Sequence, residues 1–273
     1  MAELKVTVVV PTRNNERTIE QCLRSVRSQL HPDIELIMVD NFSTDRTPEI
    51  GRELADQVLS VGPERSAQRN AGIAAASGEW VMWLDSDLYL TPEAISVSLA
   101  AAQAQDADGV ALPERTIGEG FWTSCRALER ECYVNFLGLQ NPRLLKREFM
   151  QDEGRFDPRM SGPEDANLRI NMEEASMKII VSDVLIDHDE GRLTLADIFE
   201  KRVYYGKSLP TLVKSHPGAV RNQARLLVQA YVQNWRILVR HPVKTPCMFA
   251  MRLMEGVGYL VGAGRTQLAS RRA

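Results

Sequence analysis

The stretch Trp80-Val81-Met82-Trp83-Leu84-Asp85-Ser86-Asp87-Leu88-Tyr89-Leu90 decides how this chain is read. Its short apolar run, bounded by turn-forming residues, predicts a buried strand. That strand ends on two carboxylates, and side chains at i and i+2 of a strand point to the same side. Leaving both at the edge of an apolar core is costly unless something positive neutralises them. A divalent cation carrying a phosphate ligand suits the position, because Mg²⁺ and Mn²⁺ take few carboxylates and keep other positions for phosphate and water. A solvated strand-end turn would use the same residue types, since Asp and Ser are ordinary turn formers. The neighbouring sequence weighs between the two.

Towards the N-terminus, residues 5–10 predict a β-branched strand that runs into the polar loop Pro11-Thr12-Arg13-Asn14-Asn15. Residues 18–30 predict a helix, with Ile19, Cys22, Leu23, Val26 and Leu30 at helical spacing. A second buried strand over 34–39 ends at Asp40-Asn41, and Thr47-Pro48-Glu49 opens a helix with proline early in it. A short strand over 57–61 and a helix over 66–76 complete the approach to Trp80. Alternation of this kind predicts an α/β fold with a doubly wound, mostly parallel sheet. Ligands of such sheets bind beyond the carboxyl ends of the strands. Here three of those ends carry polar clusters, at 11–15, 40–45 and 85–87.

Towards the C-terminus, Thr91-Pro92-Glu93 opens a helix, 109–113 predict a strand, 118–139 a helical stretch and 142–162 a loop-rich segment. Pro163-Glu164-Asp165 leads into a helix through about 175, with both carboxylates at its positive N-terminal end. A strand over 178–184 precedes the loop Asp187-His188-Asp189-Glu190-Gly191-Arg192, after which helices follow, broken at Pro210 and Pro242.

Charge is unevenly spread. Of the 273 residues, 200–273 contain 13 Lys/Arg and 2 Asp/Glu, a net +11; residues 1–199 contain 20 and 34, a net −14; the sum is the chain's −3. The basic segment suits an anionic partner, whether a membrane, a nucleic acid or the acidic body of the same protein. No nucleic-acid-reading motif accompanies it, so nucleic acid is not expected. The four cysteines lack metal-ligand spacing and are expected as free thiols in a reducing compartment. The apolar residues 6–10 are too short for a signal peptide, and no uncharged run is long enough for a membrane span.

In chain order, Val8-Val9-Val10-Pro11-Thr12-Arg13-Asn14, Val39-Asp40-Asn41-Phe42-Ser43-Thr44-Asp45-Arg46-Thr47, Ala67-Gln68-Arg69-Asn70-Ala71-Gly72, Asp85-Ser86-Asp87 and Glu164-Asp165 resemble family 2 glycosyltransferases of the GT-A fold. The likeness covers about residues 5–205. It implies a GT-A catalytic domain over 1–205, with a nucleotide-sugar half to about 110 and an acceptor half over 111–205, and a basic helical extension over 206–273. It also implies inverting transfer from a nucleotide-diphosphate sugar, with a UDP-sugar favoured, in one displacement. Asp40 would meet the base; a carboxylate suits an imide N–H, and an Asx turn is the structural alternative. Pro11, Thr12, Arg13, Asn14, Arg69 and Ser86 would line the donor. Asp87 would hold the metal, Mn²⁺ or Mg²⁺. Asp85 would reach ribose or sugar and is a further candidate ligand, as is His188, which could equally be a loop histidine bonded to a carboxylate. Arg192 and Arg202 could close over the diphosphate. Asp165 would be the base that takes the acceptor proton, with Glu164 competing for the role. Asn167 stands where the family often has an acidic residue.

Taken as a helix, residues 220–240 gather Arg221, Arg225, Arg236 and Arg240 on one side and a broad apolar arc elsewhere. This predicts an interfacial element on anionic lipid. Packing on the catalytic domain and homo-oligomerisation are the competing readings. The enzyme would then act at the inner face of the cytoplasmic membrane, peripherally, on a sugar or lipid-linked acceptor. A nucleotidyltransferase would want a glycine-rich loop after the first strand, and 11–15 contain no glycine. A non-catalytic sugar-nucleotide-binding adaptor would not need Asp85, Asp87, Glu164 and Asp165.

Overall fold

The structure is a computed structural model that describes residues 4–152 and 156–270. The chain forms two compact units. One comprises Met1–Glu114, Gln140–Pro158 and Leu168–Asp189; the other comprises Arg115–Leu139, Arg159–Asn167 and Glu190–Ala273.

The first unit is built on a seven-stranded sheet. β1 (Val6–Thr12), β2 (Ile34–Asp40), β3 (Gln57–Ser60) and β4 (Trp80–Trp83) are parallel, with α1 (Ile19–Arg27), α2 (Thr47–Leu54) and α3 (Arg65–Ala75) as the crossovers. β1 is buried along its whole length, as a strand covered on both faces must be. β5 (Leu88–Tyr89) and α4 (Ala94–Gln105) lead to β6 (Gly109–Ala111). β8 (Pro142–Lys146) then runs antiparallel between β4 and β6, and β9 (Ile179–Val181) lies parallel to β6 at the edge, giving the order β3-β2-β1-β4-β8-β6-β9. The fold is thus α/β with a mostly parallel sheet. Val9, Ile37, Val39, Trp83, Leu145 and Phe156 lie in its core, with the Phe156 ring edge-on to Trp83 at 5.2 Å.

Register positions the strand ends. Thr12 sits beside Asp40, and Val9 beside Trp83, so the ends of β1, β2 and β4 open side by side. β5 pairs antiparallel with β10 (Ile186–Arg192), matching His188 to Leu88 and so bringing the histidine next to Asp87.

Four segments depart from their expectations. The loop expected over 187–192 is the strand β10, because it pairs with β5. The helical stretch 118–139 begins instead with a strand, β7 (Glu114–Glu119), and the helix α5 starts only at Phe121 and ends at Glu131. The φ values of +132° at Gly118 and +93° at Gly120 are incompatible with helix. The loop-rich 142–162 contains β8, an inner strand, and α6 (Arg147–Asp152). Pro142 is its first residue, where a missing N–H is tolerated. The single helix over 220–240 is two, α10 (Ala219–Gln233) and α11 (Trp235–Val239), separated at Asn234, whose side-chain amide donates to the carbonyls of Cys132 and Ala230.

The second unit is helical. α8 (Leu195–Gly206), α10, α11 and the 27-residue α12 (Lys244–Ser270) gather with α5 around Cys125, Leu128, Ile198, Leu238, Met248 and Met251, and α9 (Leu209–Ser215) packs against α8, α10 and α12. Inside it lies a buried charge network. Arg126 donates to Glu129 at 2.7 Å and Glu255 at 2.5 Å; Arg202 reaches Glu255 at 2.7 Å; Arg252 pairs with both carboxylates; the Tyr231 hydroxyl donates to Glu129 at 2.6 Å. Burial would raise the Glu255 carboxyl, but Arg252, Arg126 and Arg202 pull it down to about 2. α7 (Glu164–Glu174) gives its first turn to this unit and the remainder to the first.

Candidate functional site

At the ends of β1 and β2, buried Asp40 accepts from the Ser43 N–H at 2.9 Å and from its hydroxyl at 2.5 Å. The carboxylate thus closes a local turn three residues on, one residue further than an Asx turn, and keeps lone pairs for a further donor. Asn14, at φ +46°, donates its N–H to the Ser43 hydroxyl at 2.7 Å and accepts from the Thr44 N–H at 2.8 Å. The Gln68 amide on α3 donates to the Thr12 and Val39 carbonyls, tying the helix across both strand ends. Pro11 and Thr12 are buried here, whereas Arg13 is exposed.

At the end of β4 the two carboxylates divide. Asp85 meets Arg69 at 2.6 Å, Arg143 at 3.5 Å and Arg65 at 3.7 Å. Burial alone would raise its pKa, but Arg69, Arg143 and Arg65 overcome it and hold the carboxyl well below the usual range. The Arg69 side chain is fully buried, its guanidinium 4.8 Å over the Phe156 ring. Ser86 fixes the turn: its hydroxyl accepts from Asn15 at 2.7 Å and its carbonyl from the Thr18 hydroxyl at 2.8 Å.

Asp87 is more open and faces His188 Nε2 at 3.5 Å. The other ring nitrogen, Nδ1, lies 2.8 Å from Glu114 Oε2, and Glu114 Oε1 accepts from Arg143 at 2.5 Å. A carboxylate only accepts, so Nδ1 carries a proton, and whenever the imidazole is neutral Nε2 presents its lone pair on the Asp87 side. Asp87, His188, Glu114, Arg143, Asp85 and Arg69 thus form one continuous chain of charged and polar contacts.

These residues fit a divalent cation in a particular way. Among the described residues no three His, Cys, Asp or Glu side chains gather as a ready-made metal cage. Asp87 and His188 offer one oxygen and one nitrogen side by side, leaving the remaining positions to phosphate and water, as Mg²⁺ and Mn²⁺ prefer. Asp85, expected as a possible ligand, is instead taken up by three guanidiniums.

In the second unit, Glu164 and Asp165 open α7, Glu164 buried and Asp165 half-buried. The loop before them is held from α8 and α9. The Ser161 N–H donates to the Ser208 hydroxyl at 2.9 Å, and Gly162, at φ +98°, lies so close to Tyr205 that a Cβ would fall 2.3 Å from its ring. Asn167 and His216 Nε2 are 3.0 Å apart. Arg192 ends β10 exposed. Arg202, expected to close over a diphosphate, has its guanidinium committed to Glu255 in the buried network, so it is left out of the donor site.

Glu114, Arg143 and Arg65 escape sequence reading. Arg65 carries a faint signal, preceding Ser66 at a predicted helix start; Glu114 and Arg143 border segments whose strands are unrecognised.

Residues 7–156 match the model of the family described as Glycosyl transferase family 2. An uncharacterised glycosyltransferase of Nostoc, alr2836, is 31% identical over 114 residues; the match covers 39% of this chain and 35% of that protein's length. Among solved structures, the mannosyltransferase PcManGT of Pyrobaculum calidifontis, in complex with GDP-Man and Mn²⁺, aligns at TM-score 0.58 and 21% identity over 98% of this chain and 81% of its own. The Staphylococcus aureus TarS fragment 1–349 in complex with UDP-GlcNAc aligns at TM-score 0.55 and 18% identity over 97% and 92%. These structural likenesses establish the GT-A type of fold.

Proposed function

The chain belongs to glycosyl transferase family 2, and from that premise we propose that it transfers a sugar, with inversion, from a nucleotide-diphosphate sugar to an acceptor hydroxyl, assisted by Mn²⁺ or Mg²⁺. The observation that carries this reading is the separation of Asp85 from Asp87: one carboxylate is surrounded by arginine, while the other is more exposed and faces an imidazole oriented by Glu114. The nucleotide-sugar complexes of PcManGT and TarS support the donor class.

In this reading Asp40 accepts from the base imide, which favours UDP, and Thr12, Arg13 and Asn14 border the nucleoside. Asp87 and His188 would hold the cation, which would supply positive charge against the leaving diphosphate. Exposed Arg192 adds positive charge for the same oxygens. Asp85, fixed by Arg69 and Arg143, faces ribose or sugar rather than metal. Asp165 takes the proton of the attacking hydroxyl, an alcohol being a poor nucleophile at neutral pH; Glu164, more deeply buried, positions the turn. The acceptor is a sugar or lipid-linked hydroxyl, met by the protein as a peripheral component of the inner membrane face. Residues 1–205 form the catalytic part and 206–273 the basic extension.

Calorimetric titration of UDP-sugars with and without Mn²⁺ tests the site. Mn²⁺ is expected to tighten binding in the native chain and to have no effect in Asp87→Ala. Metal-enhanced binding retained in that variant refutes the assignment.

A further inference from the structure

α12 has two faces that differ in kind. Met248, Met251, Glu255, Gly258 and Gly262 are buried in the helical unit. Gly258 and Gly262 bring the helix onto the backbone of α8: a Cβ on Gly262 would lie 2.2 Å from the Val203 carbonyl. At 100° per residue, the diametrically opposite arc, about 120° wide, carries Phe249, Leu253, Val257, Leu260 and Leu268 together with Gly256 and Gly264. It contains no charged residue. Leu253 is 74% and Leu260 69% exposed, and a Cβ on either of those two glycines would meet nothing within 4 Å. The face runs about 29 Å along the helix.

A second exposed stripe follows on α10 and α11: Val228, Val232, Trp235, Val239 and then Val243. Arg221, Arg225, Arg236 and Arg240 are exposed around it. The two stripes belong to neighbouring helices, since the Tyr231 ring of α10 stands edge-on to Phe249 of α12 at 5.4 Å. Large exposed apolar side chains gathered on neighbouring helices mark an interaction site.

We propose that this paired face is the seat of an anionic lipid bilayer, with α12 lying in the plane of the interface. The inference rests on the peripheral placement proposed above and names the surface that produces it. Charge selects the occupant. The buried network consumes Arg202 and Arg252 against Glu129 and Glu255, but the arginines bordering the α10–α11 stripe remain at the surface. A second copy would set one net +11 segment against another, and like charges oppose association. Nucleic acid would satisfy the arginines and leave the uncharged α12 face in water. An anionic membrane satisfies both: acyl chains cover the apolar stripe, headgroups pair with the arginines, and Trp235 sits at the level where tryptophan concentrates. No described helix is long and apolar enough to cross a membrane, which accords with a helix that lies in the interface plane.

Cosedimentation of the full chain with vesicles tests this, using phosphatidylcholine alone and with an equal share of phosphatidylglycerol, at low and high salt. The native chain is expected to partition at least about tenfold more strongly onto the anionic vesicles, less so at high salt. Leu253→Asp with Leu260→Asp is expected to lower that partition about tenfold or more, and the milder Leu253→Ala with Leu260→Ala by less, both with unchanged melting temperature and unchanged UDP-sugar binding in solution. If the native chain ignores anionic vesicles at low salt, both the peripheral placement and this surface are overturned. If it binds but neither leucine pair matters, the placement stands and the surface is wrong. If the native chain is a dimer by light scattering and the Asp pair makes it a monomer, the face belongs to a second copy and the proposal fails.

Discussion

Replacing Glu114 with Gln is the sharpest probe of the metal-site geometry. Glu114 serves two donors at once: Oε2 takes the proton-bearing Nδ1 of His188 at 2.8 Å, and Oε1 takes Arg143 at 2.5 Å. Gln has the same length but only one accepting atom. If its oxygen stays on His188, its NH₂ opposes the Arg143 guanidinium. If its oxygen turns to Arg143, the NH₂ meets Nδ1, which must then accept. The proton moves to Nε2, and the lone pair on the Asp87 side is lost. Loss of the group that orients a metal-bound histidine costs about 10- to 100-fold in metal affinity, or about 1.4–2.8 kcal/mol. The upper end corresponds to the tautomer reversal. Mn²⁺ titration in the presence of UDP, followed by the loss of the free-ion electron paramagnetic resonance signal, measures the change directly. Thermal melting of the same samples reports any effect of disturbing Arg143. A variant that melts lower but binds Mn²⁺ as tightly as the native chain would show that Glu114 only packs Arg143, and the orienting role would be refuted.

Other outcomes follow from the same contacts. Asp165→Asn should lower turnover about 10²- to 10⁴-fold while leaving UDP-sugar affinity unchanged in calorimetry; normal turnover removes Asp165 from the role of base. Gly162→Ala puts a Cβ into the Tyr205 ring at a φ of +98°, so transfer rates should fall with donor affinity intact, since the loop leads directly into Glu164-Asp165; an unaffected rate means the loop does not set their position. Glu255→Gln leaves Arg126, Arg202 and Arg252 short of a buried counter-charge and should cost about 3–5 kcal/mol in chemical denaturation. Because the Glu255 pKa is lowered to about 2 in the folded chain, the unfolded chain binds the proton first. The stabilisation is complete above the ordinary carboxyl range near pH 4.5 and is lost as pH falls towards 2; acid melts of native and Glu255→Gln chains should converge over that interval.

The sheet was legible where local signals agree. Apolar runs, turn residues and helical spacing all point the same way from β1 to β4, and the parallel order follows from their alternation. Legibility fails where a strand depends on distant neighbours. β8 opens on proline and holds Arg143 in its buried interior, so its composition reads as a loop; only pairing with β4 and β6 makes it a strand. Segment 118–139 departs at its start for the opposite reason: its apolar and aromatic content suggests helix throughout, while Gly118 lies in β7 and Gly120 precedes α5, both at positive φ.

The candidate site divides along the same line. Asp40, Asp85 and Asp87 were visible because a charged residue at the end of an apolar strand is conspicuous in one dimension; His188 was a candidate through the family resemblance and lies within β10. Glu114 and Arg143 were not, since their meaning lies in whom they touch. Yet the physical demand that exposed the site also called for them. Two carboxylates beside an apolar core require positive charge, and a cation was the first candidate for both. The structure meets the demand in two ways. Asp85 has permanent guanidinium partners and needs no metal to be ionised. Asp87 faces a histidine whose Nδ1 Glu114 holds. Were a cation to bind with a diphosphate and leave with it, a site in which both buried carboxylates depended on it would be costly; here Asp85 would keep its guanidinium partners throughout, and Asp87 is the more solvated of the pair.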